Sequence, residues 1–211
     1  YYPLDSWFVK TTSYKKRMIE LNKNINWKPK STGEGRFGKW LENLVDWNLS
    51  RSRFWGIPIP IWRSEDKECE ICIGSVDELK QEIEKSIEAG IMKSNPLDNF
   101  AHGNMSKSNY SCFDLHRPYV DDTILKCPTC SGDMKREPFV MDCWFDSGCA
   151  SFAQWHHPFG EEGKFENNFP IDYICEGVDQ TRGWFYTLLA VSTTVFDSIC
   201  YKRCLSLGLI L

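Results

Sequence analysis

The chain has 211 residues, 42% hydrophobic, 26% charged and 14% aromatic, enough apolar material for one large domain or a core carrying an insertion. Its formal charge of −4, from 25 basic and 29 acidic residues, argues against a free-standing nucleic-acid binder, whose domain is usually strongly basic. It leaves room for a large enzyme that meets RNA through local basic patches. No stretch approaches the roughly 20 apolar residues that span a bilayer, so no membrane partner is expected; the expected cytoplasmic location comes from the cysteine pairs, which suit a reducing cytosol.

Tyr1-Tyr-Pro-Leu-Asp-Ser-Trp7 shows neither an initiator Met nor a signal-peptide pattern. Leu205 to Leu211 is an apolar run with the look of a strand cut short. Both termini therefore read as cuts through a longer protein. Tyr14, Met18 and Leu21 share one face of a helix expected over 13–24. Pro29 to Gly35 breaks the pattern, and Phe37, Trp40, Leu41, Leu44 and Val45 make the stripe of a second helix over 36–47. In Ile57-Pro-Ile-Pro-Ile-Trp62 the alternate prolines forbid a central strand and predict an extended segment or edge strand.

The clearest helix is 76–89. Ser75 and Glu78 form a capping box, Val76, Leu79, Ile83 and Ile87 share a face, and Gly90 is placed to stop it in a left-handed conformation. The polar stretch 94–113 reads as a loop. From Phe139 onward the pattern becomes strand, turn, helix: a strand over 140–145 ending at Asp146-Ser-Gly148, a second over 171–175, a helix over 181–196, and a third strand over 205–211. Strands alternating with helices predict a parallel sheet that binds ligands beyond its carboxyl ends. That rim would carry Trp144, Asp146, Glu176, Asp179 and Gln180.

Ten cysteines in a chain this size and this apolar do not read as a disulfide framework. Cys69-Glu-Ile-Cys72 and Cys127-Pro-Thr-Cys130 are two Cys-x-x-Cys pairs, a pattern that points to metal in a reducing compartment. Four thiolates would complete one tetrahedral zinc site, structural because no position is left open. The 54 residues between the pairs form a longer gap than zinc ribbons usually have. The other six cysteines read as small buried hydrophobes. Arg51-Ser-Arg53 and Lys15-Lys-Arg17 are candidate phosphate contacts or ordinary solvated charges. His116 and Arg117 could touch RNA or cap a turn.

The segment Glu176-Gly-Val-Asp-Gln-Thr-Arg-Gly-Trp-Phe185 delivers an acid and a glycine at a strand tip and then opens a helix. Gly177 removes a side chain where a flat ligand could approach the backbone, and Asp179 and Gln180 sit near the helix start, where amides favour anions. Trp184 lies one turn beyond Gln180. Taken alone, this is either a pocket for a nucleotide-like or amino-acid-like ligand or a capped helix with a core Trp.

That segment resembles the adenylate-binding stretch of the isoleucyl-tRNA synthetases, within class I of the aminoacyl-tRNA synthetases. Four further stretches resemble the same family: Asp5-Ser-Trp-Phe-Val-Lys10, Trp47-Asn-Leu-Ser-Arg-Ser-Arg-Phe-Trp-Gly56 with its Pro-Ile-Pro tail, Asp114-Leu-His-Arg-Pro118, and Asp142-Cys-Trp-Phe-Asp-Ser-Gly148. The resemblance implies an ATP-dependent ligase that joins isoleucine to tRNA(Ile) with ATP and magnesium as substrate, monomeric at full length. By position, Glu176, Gly177, Asp179 and Gln180 would line the isoleucyl-adenylate site, and Trp144 and Trp184 would wall the aliphatic pocket. Arg51 and Arg53 would touch the tRNA acceptor end or pin the hinge to an editing domain. Some family members carry structural zinc in the matching insertion, which would employ Cys69, Cys72, Cys127 and Cys130.

Two family signatures, His-Ile-Gly-His and Lys-Met-Ser-Lys-Ser, are absent. The fragment alone is therefore expected to be inactive, and no acid-base catalyst is named. The expected fold is α/β: the second half of a Rossmann-like nucleotide-binding fold with an inserted α+β segment and a zinc knuckle. Its expected parts are a segment over 1–62 linking the editing insertion to the catalytic body, an insertion over 63–138, and the Rossmann-like half over 139–211. The rival from another class is a zinc-ribbon RNA-binding module without catalysis, which should show a basic face and a self-contained core around its cysteines.

Overall fold

The computed structural model describes residues 5–130 and 132–208. The chain folds as two compact units, one of residues 1–49 and 142–211, the other of residues 50–141. The expected first part is thus divided near residue 50, and its first 49 residues belong with the C-terminal portion.

In the first unit, β1 (Phe8–Val9) leads through a 3-10 turn into α1 (Lys15–Asn22), followed by β2 (Asn26–Lys28). The predicted break at 29–35 gives way to a π-helical turn, Thr32–Phe37, running straight into α2 (Gly38–Glu42). A glycine is required there, because a Cβ on Gly33 would come within 2.2 Å of the Trp27 ring. Asn22 ties the same junction together: its amide donates to the Gly33 carbonyl at 3.0 Å and accepts from Trp27 Nε1 at 2.8 Å. The helix expected to reach residue 47 stops at Glu42, and β3 (Trp47–Asn48) pairs antiparallel with β1.

In the second unit, β4 (Ser50–Arg51) precedes the hairpin of β5 (Ile61–Ser64) and β6 (Glu70–Cys72). The alternate prolines keep Ile57 to Pro60 out of any strand apart from one bridge, Pro58 to Val140. α3 (Val76–Glu88) starts as expected: Ser75 Oγ accepts from the Glu78 amide at 3.0 Å. The return arm of the capping box differs, because Glu78 Oε2 accepts from the Gly74 amide at 2.7 Å rather than from that of Ser75. Gly90, at φ 77, ends the helix in the left-handed region. The polar loop that follows holds a one-turn helix, α4 (Lys107–Tyr110). Then come β7 (Ile124–Lys126), β8 (Asp133–Arg136) and β9 (Val140–Met141), which pairs with β4. The four-stranded sheet runs β6-β5-β8-β7, wholly antiparallel. Trp62, Leu79, Ile83, Leu125 and Met134 are buried between it and α3.

The chain then re-enters the first unit through α5 (Cys143–Gly148) and α6 (Ala150–Ala153). The strand expected over 140–145 is thus mostly helix. Asp142 makes the difference: its Oδ1 caps α5 by accepting from the Trp144 amide at 3.3 Å, and its Oδ2 accepts from Trp47 Nε1 at 3.0 Å. β10 (Ile171–Gly177), a 3-10 turn over Val178–Arg182, α7 (Trp184–Phe196) and β11 (Tyr201–Leu207) complete a βαβ unit. The sheet is parallel, ordered β10-β11-β2. β11 starts earlier than expected, and residues 209–211 of the expected strand lie outside the described residues. Every residue of α7 from Phe185 to Thr193 is buried. The Tyr201 hydroxyl, fully enclosed beneath this helix, donates to the Phe185 carbonyl at 3.0 Å.

Candidate functional site

β10 delivers Glu176 and Gly177 to its carboxyl end, where the parallel sheet opens. Glu176 and Asp179 are exposed, and Gln180 is half-buried. The rim is organised by short polar contacts. Gln180 Oε1 accepts from the Trp184 amide at 2.9 Å, capping α7, and its Nε2 donates to Asp179 Oδ2 at 3.1 Å. Gln180 therefore positions both the helix start and the Asp179 carboxylate. Gly177 serves the same carboxylate: a Cβ there would sit 2.5 Å from Asp179 Oδ1. The side-chain position at Gly177 is thus bordered by the Asp179 carboxylate.

The two tryptophans meet the rim from two helices. Trp184 packs against the core of the first unit, and its indole N–H donates to the Ser147 carbonyl in α5 at 2.9 Å. Trp144, 38% exposed, stands with its ring edge over Gly183, where a Cβ would meet it at 3.2 Å and Gln180 Oε1 at 2.7 Å. α5 and α7 approach closely enough that a Cβ on Gly148 would stand 3.0 Å from the Thr187 carbonyl oxygen. Both indoles thus belong to one junction, Trp184 through the chain segment that follows Glu176 and Asp179 and Trp144 through its contact with Gly183.

Sequence reasoning missed three contributors. Gly183 permits the close approach of Trp144 and Gln180; its position just before the helix was the available signal. Asp142 orients α5, an N-cap hidden by the apolar residues around it. Arg36 Nε donates to Thr181 Oγ1 at 3.0 Å, and Thr181 in turn donates to the Val178 carbonyl at 2.7 Å, which braces the 3-10 turn. Nothing in the local sequence around Arg36 announces that pairing.

In the second unit, Arg51 is half-buried in β4 and Arg53 is exposed. Trp55 stacks on His116 at 4.5 Å between centroids, and Arg117 lies over the Phe54 ring at 5.6 Å.

The four expected metal ligands do not gather in one place. Cys127 and Cys130 form half a knuckle: the Cys130 amide donates to Cys127 Sγ at 3.5 Å, and the Cys127 amide donates to the Gly132 carbonyl at 2.8 Å. Amides of Cys130 and Thr129 hold the Cys127 thiol down to about 7. Cys69 reaches this end of the sheet, its thiol pushed up chiefly by interaction with Cys127. Cys72 does not. It pairs with Ile61 at the other end of β6, three residues further along an extended strand, which is roughly 10 Å and on the opposite face. Among the described residues no group of three or more His, Cys, Asp or Glu side chains gathers to hold a metal ion. The four-thiolate set does not fit.

Residues 1–211 match the family described as tRNA synthetases class I (I, L, M and V). The chain belongs to the class I aminoacyl-tRNA synthetases. It is 60% identical over its full length to an isoleucine–tRNA ligase of Bacteroides thetaiotaomicron, 55% identical to that of Porphyromonas gingivalis and 48% identical to that of Clostridium novyi. It spans 18–19% of the length of these relatives. Among the described residues, no helix of this synthetase chain is long and apolar enough to cross a membrane.

Proposed function

We propose that the protein containing this chain activates isoleucine with ATP and transfers it to tRNA(Ile), and that this chain supplies one wall of the isoleucyl-adenylate pocket. The supporting observation is the junction of β10, α5 and α7, where two exposed carboxylates, a fixed carboxamide and Trp184 lie within residues 176–184 and α5 brings the Trp144 ring against Gly183. Glu176 and Asp179 would take the ammonium group and the ribose hydroxyls, with Asp179 held in place by Gln180. Trp144, the more exposed indole, would face the sec-butyl group, and Trp184 would back it. An apolar wall of this kind separates isoleucine from valine by only about 1–3 kcal/mol, a limit for which isoleucyl enzymes are the standard example. Arg51 and the exposed Arg53 are the proposed tRNA contacts.

The chemistry expected of these residues is positioning and charge stabilisation rather than proton transfer. The ATP-binding signatures absent from these 211 residues would come from other parts of the protein, so the fragment alone should not catalyse. The test is isoleucine-dependent ATP–pyrophosphate exchange by the full-length protein. Glu176→Gln and Asp179→Asn should each lower the exchange rate per unit isoleucine by roughly tenfold or more. Exchange equal to the parent in both variants would refute the assignment.

A further inference from the structure

We infer that the hairpin end built from residues 64–69 and 127–132 is metal-independent: Ser64 and Asp66 close the first turn by hydrogen bonds, where a zinc knuckle would use thiolates. In a knuckle, the turn's amides point at ligand sulfurs, as the Cys130 amide still points at Cys127. On the facing hairpin, the amides of Ser64, Lys67, Glu68 and Cys69 go to oxygen. The Cys69 amide donates to Ser64 Oγ at 3.0 Å, the Glu68 amide to Asp66 Oδ1 at 3.1 Å, and Ser64 Oγ itself donates to Asp66 Oδ1 at 2.6 Å. The backbone closes around them, with Ser64 N to Cys69 O at 3.0 Å and Lys67 N to Ser64 O at 2.9 Å. Ser64 is 6% exposed. Its hydroxyl is therefore an interior fastening of the turn, and the turn needs no ion to satisfy its polar groups.

Three further observations agree. Lys67 takes the turn in a left-handed conformation, φ 61, and so puts an exposed cationic side chain, not a thiolate, at the corner of this hairpin. Only one thiol of this hairpin, Cys69, reaches Cys127, and Cys72 lies at the far end of its strand. The sheet beneath also has its own core: Trp62, Leu125, Cys127 and Met134 are each at most 1% exposed, and Trp62 Nε1 donates to the Thr123 carbonyl at 2.8 Å. A unit with that burial does not depend on a metal staple for stability.

The test uses the full-length protein and reads a difference in zinc content, so that ions held elsewhere cancel. Elemental analysis of the parent and of the Cys127→Ser, Cys130→Ser double variant should give the same zinc per chain; a fall of about one zinc overturns the inference. A second measurement avoids reliance on that variant's folding. Hydrogen exchange of the amides in 61–72 and 124–136 should be unchanged by a strong zinc chelator in the parent, and faster exchange there overturns it. Ser64→Ala should speed exchange of the Cys69 amide roughly fivefold, the loss expected of one hydrogen bond. Unchanged protection in that variant would show that the turn is closed by something else. None of these readouts involves aminoacylation.

Discussion

The two units hold themselves together by different means. In the first, the β10–α7–β11 core is almost purely apolar: α7 is enclosed over nine consecutive residues, Phe185 to Thr193, and buried hydroxyls such as Tyr201 find backbone partners. In the second, a four-stranded antiparallel sheet is locked by a buried cation. The Arg136 side chain, 1% exposed, pairs with Asp121 and donates through Nη1 to the Ile59 and Phe139 carbonyls at 3.2 and 3.0 Å. Asp121 also accepts from Arg117 Nε at 2.7 Å. Beside the apolar core of this unit, a guanidinium ties three chain segments together. The difference teaches that the first unit should respond to lost volume and the second to lost charge.

The largest effect is expected at Arg136. Arg136→Ala leaves two carbonyls without their donor and the part-buried Asp121 carboxylate with Arg117 as its remaining cation, and should destabilise the second unit by about 3–5 kcal/mol, read as faster hydrogen exchange across 58–64 and 120–140. Leu188→Ala, at a fully buried position in α7, should cost the first unit about 2–5 kcal/mol, read in the same way across 171–207. If Leu188→Ala proved mild and an apolar replacement of Arg136 harmless, the contrast between the units would fail. Gly183→Ala sharpens it from the functional side. The new methyl would push Gln180 and the Trp144 ring aside, and pyrophosphate exchange should fall roughly a hundredfold while the fold persists. Ser75→Ala removes the cap of α3 and should cost about 1 kcal/mol, seen as fraying of 76–79.

The last prediction concerns acid. Burial alone would raise the Asp121 pKa, but the guanidiniums of Arg117 and Arg136 outweigh it and hold the carboxyl below its ordinary value. Because the folded value is the lower one, its stabilising contribution is full above the ordinary carboxylate range, near pH 4, and disappears as pH falls through the folded value. Acid should therefore loosen the second unit, and Asp121→Asn should flatten that dependence. An identical acid limb in the variant would remove Asp121 from the account.

Legibility varied with the range of the interactions involved. Helix α3 could be read to within one residue because cap, stripe and stop glycine are all local. Likewise β10 and α7, and with them Glu176, Asp179 and Gln180, follow from a strand run and a helix start adjacent in sequence. The segment at 142–148 misled, since its apolar letters suit a strand and only the Asp142 cap, fixed in part by Trp47, makes it a helix. The π-helical turn through Gly33 was invisible for a similar reason: it depends on the Trp27 ring lying against it. In the zinc expectation, spacing was taken for geometry. Cys-x-x-Cys binds an ion on a tight turn, whereas Cys69 to Cys72 runs into a strand.

By itself, then, the sequence determined the family, the βαβ order of the C-terminal portion and the residues at its rim, because these depend on neighbours a few positions apart. Tertiary structure alone decided which cysteines meet, that residues 1–49 complete the C-terminal sheet through β2, and that Gln180 serves as a brace. Each of those outcomes depends on contacts between segments distant in the chain, and such contacts follow from packing and strand register rather than from any local pattern.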